Sequence, residues 1–261
     1  MLQPDFYKRI RSQFDLTTAL VRRELWVKYR GSVFGYLWSM LNPLIFMLVI
    51  SLVFSFLVKG VPNYHLYVLS GILFWNLTNN SIQVGTQGIV NGAALIRKVQ
   101  LPIWIFPIVP VLTFSINFLM ALIPYFVIDF AWGVPMTLMV SQLPFVLILF
   151  MSFLAGICLT LASLNVFFRD VGHVIEPIMV MTMYATPVVY DRHQVGFPEM
   201  ANKVLEMNPL THFVEAGRNC LFWGRLITPS EWILMFLLAI GSLAAGILVY
   251  NVARKKFIFA L

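Results

Sequence analysis

The chain has 261 residues, 60% of them hydrophobic and 15% aromatic, with only 11% charged. Soluble domains are nearer a quarter charged, so this composition excludes a soluble globular domain, and it excludes disordered, collagen-like and disulfide-framework classes as well. The formal charge of +7 comes from 18 Lys and Arg against 11 Asp and Glu, and the positions of those bases decide between nucleic acid and an anionic lipid surface as counterpart.

A helix that crosses a bilayer needs about 20 apolar residues, because each backbone amide must be paired inside its own segment. Residues 1–30 come first, a polar and basic arm with no cleavable leader, which is expected to lie in the cytoplasm. Within it, residues 14–30 predict an amphipathic interface helix. Phe14, Val21, Leu25 and Tyr29 make one stripe, Leu16, Leu20 and Val27 a second apolar patch, and Arg23 and Arg30 project opposite the first stripe. Six spans follow, at 31–58, 66–82, 101–128, 140–167, 172–190 and 232–253. Between the second and third, the stretch 83–101 contains Gly85, Gly88 and Gly92 and reads as a long inner loop, with a helix-compatible piece from Ala93 to Val99. In the fifth, His173 and Glu176 are expected to pair with each other or with Arg169. Residues 191–230 carry the breakers Pro198, Pro209 and Pro229 among apolar Phe213, Leu221, Phe222 and Trp223, and read as short re-entrant helices on the outer side. The expected fold class is all-α, a single polytopic domain over 1–261.

Six spans put both termini on one side. That side collects 13 of the 18 basic residues: Lys8, Arg9, Arg11, Arg22, Arg23, Lys28, Arg30, Arg97, Lys98, Arg169, Arg254, Lys255 and Lys256. The positive-inside rule assigns it to the cytoplasm, so the basic balance reads as topology and anionic-lipid contact rather than nucleic-acid binding. Cys158 and Cys220 read as structural thiols, and the scattered His65, His173, His193 and His212 predict no metal site. Ionisable groups at membrane depth cost about 2.5–3.5 kcal/mol each on insertion scales and are kept for function. Here they are few, chiefly Asp129 and Glu176. The dipeptide Gly-Lys does not occur, so the chain has no P-loop to cradle ATP. If it works against a gradient, the energy is expected from another subunit. A membrane-embedded transferase acting on polyprenyl lipids is the remote alternative; it needs a carboxylate-rich loop, and the inner side offers only Asp170 and Glu176.

Four stretches then resemble one family in the right order. LVRRELWVKYRGSVFGYLWSMLNPL (Leu20 to Leu44) is similar to the interface helix and first span of the membrane subunit of ABC-2 type polysaccharide exporters. ALIRKVQLP (Ala94 to Pro102) resembles its inner coupling segment, and NVFFRDVGH (Asn165 to His173) its inner loop before span five. TPVVY (Thr186 to Tyr190), followed by NPLTHFVEAGRN (Asn208 to Asn219), resembles its outer end with re-entrant helices. The resemblance implies a non-enzymatic homodimer in the bacterial inner membrane. Its partners would be two copies of a cytoplasmic ATPase, which would hold ATP and Mg; this chain needs no cofactor of its own. The cargo implied is a polysaccharide on undecaprenyl diphosphate, of O-antigen type or alternatively teichoic acid or capsule, moved through a channel at the dimer interface lined largely by spans one and five. There Phe34, Tyr36, Trp38, Tyr184 and Tyr190 are the candidate glycan contacts. Leu25, Tyr29, Arg97, Lys98, Arg169 and Asp170 are the candidate ATPase-coupling residues. Arg22, Arg23, Lys28 and Arg30, the bases where the lipid would be taken up, are assigned to its diphosphate.

Overall fold

The computed structural model describes residues 3–54, 61–98, 101–133, 138–192 and 198–257, and no strand occurs among them. Helix α1 covers Gln3–Tyr29, longer than its amphipathic stretch. It ends where Gly31 and Gly35 take φ of 74° and 50°, a left-handed backbone that favours glycine. The first apolar run therefore turns before it spans: a short 3-10 turn, Gly35–Leu37, leads into α2, Trp38–Phe54. Residues 55–58 of the expected span lie outside the described residues.

Helix α3 runs Tyr64–Asn91, far past the expected end of the second span, and it corrects the reading of 83–101 as a loop. The glycines there are packing notches. A Cβ on Gly88 would lie 2.7 Å from the Phe106 carbonyl oxygen, and one on Gly92 would enter the Phe106 ring. Only the short α4, Ala93–Ile96, and the residues after it form the connection. Then come α5, Ile105–Ala131, and α6, Leu143–Phe167, the latter preceded by a 3-10 stretch, Leu138–Gln142. The next helix, α7, is Asp170–Tyr184, so the last six residues of the expected fifth span leave helical geometry. Beyond it lie α8, Glu199–Met207, and α9, Pro209–Arg218, which continues as a π turn, Asn219–Trp223. The last long helix, α10, is Pro229–Ala253; Thr228 and Glu231 close a capping box that starts it three residues before the expected Trp232.

Among the described residues four helical segments are long and apolar enough to cross a membrane: Gly35–Phe54, Ile105–Ala131, Leu138–Phe167 and Pro229–Lys256. In an apolar surround helices associate by close packing and by polar groups satisfied locally. Both devices are present. The hydroxyls of Thr78, Thr86 and Ser115 each donate to the carbonyl four residues earlier, at 2.8, 2.6 and 2.7 Å. Where α6 meets α10, Gly156 faces the Ser242 backbone and a Cβ on Gly246 would lie 2.5 Å from the Gly156 carbonyl oxygen. The Ser242 hydroxyl donates to the Phe153 carbonyl at 2.8 Å.

Helix α3 sits at the centre of the core, with Leu66, Leu69, Leu73, Phe74 and Leu77 buried. Around Phe74 the rings of Phe118 on α5 and Phe150 on α6 stand 5.0 and 5.6 Å away, and Phe213 on α9 lies 5.0 Å from Phe150. Each such pair adds about 0.5–1.5 kcal/mol beyond its buried area. The segment expected outside is thus part of the main core rather than a separate unit.

The middle of α1 and the described C-terminal end gather at one end of the bundle. Phe257 is buried against Phe167 and Tyr250, in the same cluster as Ile89 and Val166. Val21 of α1 packs on Ile105 and Val109 at the start of α5. The exposed bases Arg97, Lys98, Arg169, Arg254, Lys255 and Lys256 cap the same helix ends, which we call the basic end.

Candidate functional site

Helix α1 crosses α5 and is fixed to it by mixed contacts. Leu16, Leu20 and Leu25 pack beside Val21 against Trp104, Leu112 and Ile116. The Thr113 hydroxyl donates to Glu24 Oε2 at 2.9 Å, and the Tyr29 hydroxyl donates to Asn117 Oδ1 at 3.2 Å. Of the four residues expected to form one apolar stripe, Val21 and Tyr29 are buried and Leu25 is half-buried. Phe14 is 70% exposed, at the rim of an open hollow between α1 and α5. Two of the coupling candidates, Leu25 and Tyr29, therefore sit on the face that grips α5.

The basic residues divide by environment. Arg22 and Arg23 are exposed and line a shallow concavity of 850 Å³ with Asp15, Trp26 and Tyr36. Arg30 lies over the Trp26 ring, 4.4 Å from its centroid. Lys28 is exposed as well, but it turns towards α5, its Nζ 4.5 Å from the Phe114 ring centroid. Desolvation holds that ammonium below its ordinary pKa, with Glu24 opposing. Burial likewise raises the Glu24 carboxyl, against the lowering effects of the Thr113 hydroxyl, Arg23 and Lys28. A groove of 570 Å³ opens here between α1, α3 and α5, lined by Arg23, Glu24, Lys28, Asn80, Asn91 and Thr113 among others. Past Lys28 and Asn80 a smaller pocket of 70 Å³ continues inward, edged by Trp38, Ser39, Asn42, Asn76 and Asn117.

The aromatic candidates fall into three groups. Phe34 and Trp38 form an edge-on pair at 5.7 Å, while Tyr36 tilts against Tyr29 at 4.9 Å. Phe34 and Tyr36 are exposed, and Trp38 lines the inner pocket. At the opposite end of the bundle Tyr184 is exposed, and its carbonyl accepts from the Tyr190 hydroxyl at 2.8 Å. The structure therefore does not bring Tyr184 and Tyr190 together with the first-span rings within this chain.

Arg97, Lys98, Arg169 and Asp170 are all exposed at the basic end. The turn that carries Arg169 and Asp170 is held by Asn165, which sequence reading missed. Its Nδ2 donates to the Thr86 carbonyl of α3 at 3.1 Å, and its Oδ1 accepts from the Gly172 amide of α7 at 2.9 Å. One buried carboxamide thus ties three helices beneath the α6–α7 turn, and the signal was an Asn in an otherwise apolar run. His173 and Glu176 are exposed, and among the described residues neither joins an ion pair with the other or with Arg169.

A second missed constellation lies at the far end. Four consecutive carbonyls, those of Pro187, Val188, Val189 and Tyr190, each accept from a side chain. Arg218 Nη1 and Nη2 donate to the first two at 2.9 and 2.8 Å, the Tyr64 hydroxyl to the third at 2.6 Å, and the Tyr67 hydroxyl to the fourth at 2.8 Å. Arg218 is 3% exposed, with its guanidinium 3.8 Å from the Tyr67 ring centroid. Asn208 caps α9 by accepting from the Leu210 amide at 3.1 Å, and donates to the Ala185 carbonyl and Thr186 hydroxyl at 2.9 and 2.8 Å. Nearby, Arg192 engages Glu215 at 2.7 Å and Glu206 at 3.1 Å.

The sequence has counterparts among known proteins. The chain is 28% identical to an O-antigen export system permease protein RfbA of Myxococcus xanthus, over 93% of this chain and 94% of that protein. It is 26% identical to a protein of the same name from Klebsiella pneumoniae, over 94% of each. The sequence profile of the ABC-2 type transporter family matches residues 15–222, from the amphipathic stretch of α1 through the π turn after α9, and the chain belongs to that family.

Proposed function

We propose that this chain is the channel-forming permease of an ATP-driven exporter. It moves undecaprenyl diphosphate-linked polysaccharide of O-antigen type from the cytoplasmic to the outer face of the inner membrane. The observation that carries this reading is similarity along nearly the whole length of both chains to proteins named as O-antigen export permeases. In it two copies of the chain form the channel, and two copies of a separate ATPase supply the energy. All six spans cross, with α3 and α7 added to the four strongly apolar helical segments, both termini cytoplasmic and α8 and α9 re-entrant from outside.

The physical supports are independent of the names. Helix α3 would span roughly 40 Å at 1.5 Å per residue, more than a bilayer core needs, and its burial at the centre of the core explains why it can be less apolar than its neighbours. The bases concentrate at one end, as the positive-inside rule requires of a cytoplasmic face. Arg22 and Arg23 lie exposed above a broad concavity where a lipid diphosphate would meet them, with Lys28 in the adjoining groove and Arg30 beside Trp26. Arg97, Lys98, Arg169 and Asp170 stand free on rigid helix ends, suited to receive motion from a soluble motor. Phe34, Tyr36, Trp38, Tyr184 and Tyr190 would offer ring faces to sugars from spans one and five.

The test is reconstitution of the chain with an ABC ATPase subunit from the same organism. The expected result is a complex of two and two that transfers lipid-linked O-antigen with vanadate-sensitive ATP hydrolysis. A chain that stays monomeric and retains no ATPase overturns the reading.

A further inference from the structure

Helix α3 is the most buried long helix of the molecule, yet one side of its second half is made of amides. At 100° per residue, Asn76, Asn79, Asn80, Gln83, Gln87 and Asn91 all fall within an arc of roughly 120°, and the stripe is roughly 22 Å long. The residues between them, Leu77, Thr78, Ser81, Ile82, Gly85, Thr86 and Ile89, are buried against the bundle. The amides themselves are half-buried at 76, 79, 80 and 83 and exposed at 87 and 91. Their side-chain bonds stay within the helix: Asn80 Nδ2 donates to the Asn76 carbonyl at 2.7 Å and Gln83 Nε2 to Asn79 Oδ1 at 2.8 Å. Among the described residues, none reaches another helix.

Such a face cannot lie against acyl chains, where every unpaired amide group costs free energy and nothing in lipid replaces the bond. It must meet water or a polar molecule. Two cavities already border it. Asn76 and Asn80 edge the 70 Å³ inner pocket, and Asn80 and Asn91 edge the 570 Å³ groove that opens at the basic end. A carboxamide offers two donors and an acceptor without charge, which matches sugar hydroxyls. It also binds weakly enough to let go, the condition for passage rather than capture.

We propose that the carboxamide stripe of α3 lines the water-filled part of the translocation path nearest the basic end and hydrogen-bonds the hydroxyls of the passing glycan. The inference rests on the export reading and names a polar surface that handles the sugar alongside the aromatic residues, since Trp38 lines the same inner pocket as Asn76 and Asn80.

The experiment uses the full chain with its ATPase in proteoliposomes, in a Cys158→Ala, Cys220→Ala background shown to retain export. Single cysteines replace Asn79, Gln83 or Gln87, with Thr86 on the buried face and the exposed Leu248 on α10 as controls. The probe is a membrane-impermeant maleimide, which attacks only hydrated, ionisable thiols, so the three stripe positions are expected to label about tenfold faster than either control. Lipid-linked polysaccharide extracted from the source cells is expected to protect them. In parallel, leucine at all three positions is expected to slow glycan transfer several-fold in protein that still co-purifies with the ATPase, and serine at the same positions to restore much of it. Stripe positions that label no faster than the controls, labelling that the polysaccharide leaves unchanged, or leucine variants that export at the parental rate each overturn the proposal. A parental complex that hydrolyses ATP but moves no glycan overturns the export reading itself, and the labelling rates separate that failure from this one.

Discussion

The two ends of the bundle treat their polar groups in opposite ways. At the far end, four consecutive carbonyls each receive a donor from α3 or α9, Arg218 is almost fully enclosed, and Arg192 is clasped by two glutamates. Towards the basic end, the amides of α3 bond only within their own helix. The exposed bases there, Arg22, Arg23, Arg97, Lys98 and Arg169, join no ion pair among the described residues. The contrast separates two uses of polarity. Groups paired inside the protein hold a shape, whereas groups left open at a surface with no lipid-compatible chemistry are available to water, headgroups or another molecule.

The sharpest way to break this contrast is to remove the brace at the far end. Arg218→Met leaves the carbonyls of Pro187 and Val188 buried without donors and loses two charge-assisted bonds, at about 1.5–3 kcal/mol each. The expected outcome is loss of about 3 kcal/mol or more, read as a large drop in thermal midpoint in detergent or as failure to elute as a single species. Gly71→Ala attacks the same brace from α3, because its Cβ would lie 2.6 Å from Arg218 Nη2 and collide with the Val188 carbonyl. It is expected to share most of that loss.

Two smaller changes sharpen the same point. Gly246→Leu forces α10 away from Gly156 and the Ser242 backbone, an overpacking expected to cost about 1–3 kcal/mol. Asn208→Ala removes the cap of α9 and two further bonds, expected to cost about 1–2 kcal/mol. Thermal melts of the purified variants check both: an unchanged melt for Asn208→Ala removes the argument that polar groups at the far end are there to hold shape, and an unchanged melt for Gly246→Leu removes the close packing of α10 on α6 as a source of stability.

Apolar periodicity located each long helix, because a run without charge has few alternatives in a bilayer. What it could not give was the end of α3. Gly85, Gly88 and Gly92 punctuate a loop and notch a helix with equal ease, and the choice is made by Phe106, which lies far along the chain and fills the space a side chain would take. The split of residues 31–37 into a turn was hidden for the opposite reason: Gly31 and Gly35 were absorbed into a hydrophobic run that counted residues rather than backbone angles. The bases of the candidate site were legible as a cluster, and their roles depend on which way each side chain leaves α1, which separates Lys28 from Arg22. Asn165, Arg218 and the stripe of α3 were missed because each was read as a single polar residue. Only the fold shows that Asn165 joins three helices, and the six amides share one arc only once α3 is seen to stay helical as far as Asn91.

The gentlest test concerns Glu24, the carboxylate bonded to Thr113 between α1 and α5. Burial raises the Glu24 pKa above the ordinary carboxylate value, and the Thr113 bond and neighbouring bases lower it by less. A carboxyl whose folded pKa lies above its unfolded pKa is held more favourably in its protonated form. Its contribution to stability is therefore fully present below the unfolded pKa and is lost as pH rises through the folded one. Glu24→Gln keeps an acceptor for the Thr113 hydroxyl and removes the charge, so the variant is expected to melt slightly higher than the parent at neutral pH. As the pH falls through the raised folded pKa and past 4.5, the parent becomes protonated and the difference closes. Paired melts across that range decide it. A variant that is less stable at neutral pH would mean that attraction to Arg23 and Lys28 outweighs desolvation, and that the basic end holds α1 by charge as firmly as the far end holds its carbonyls.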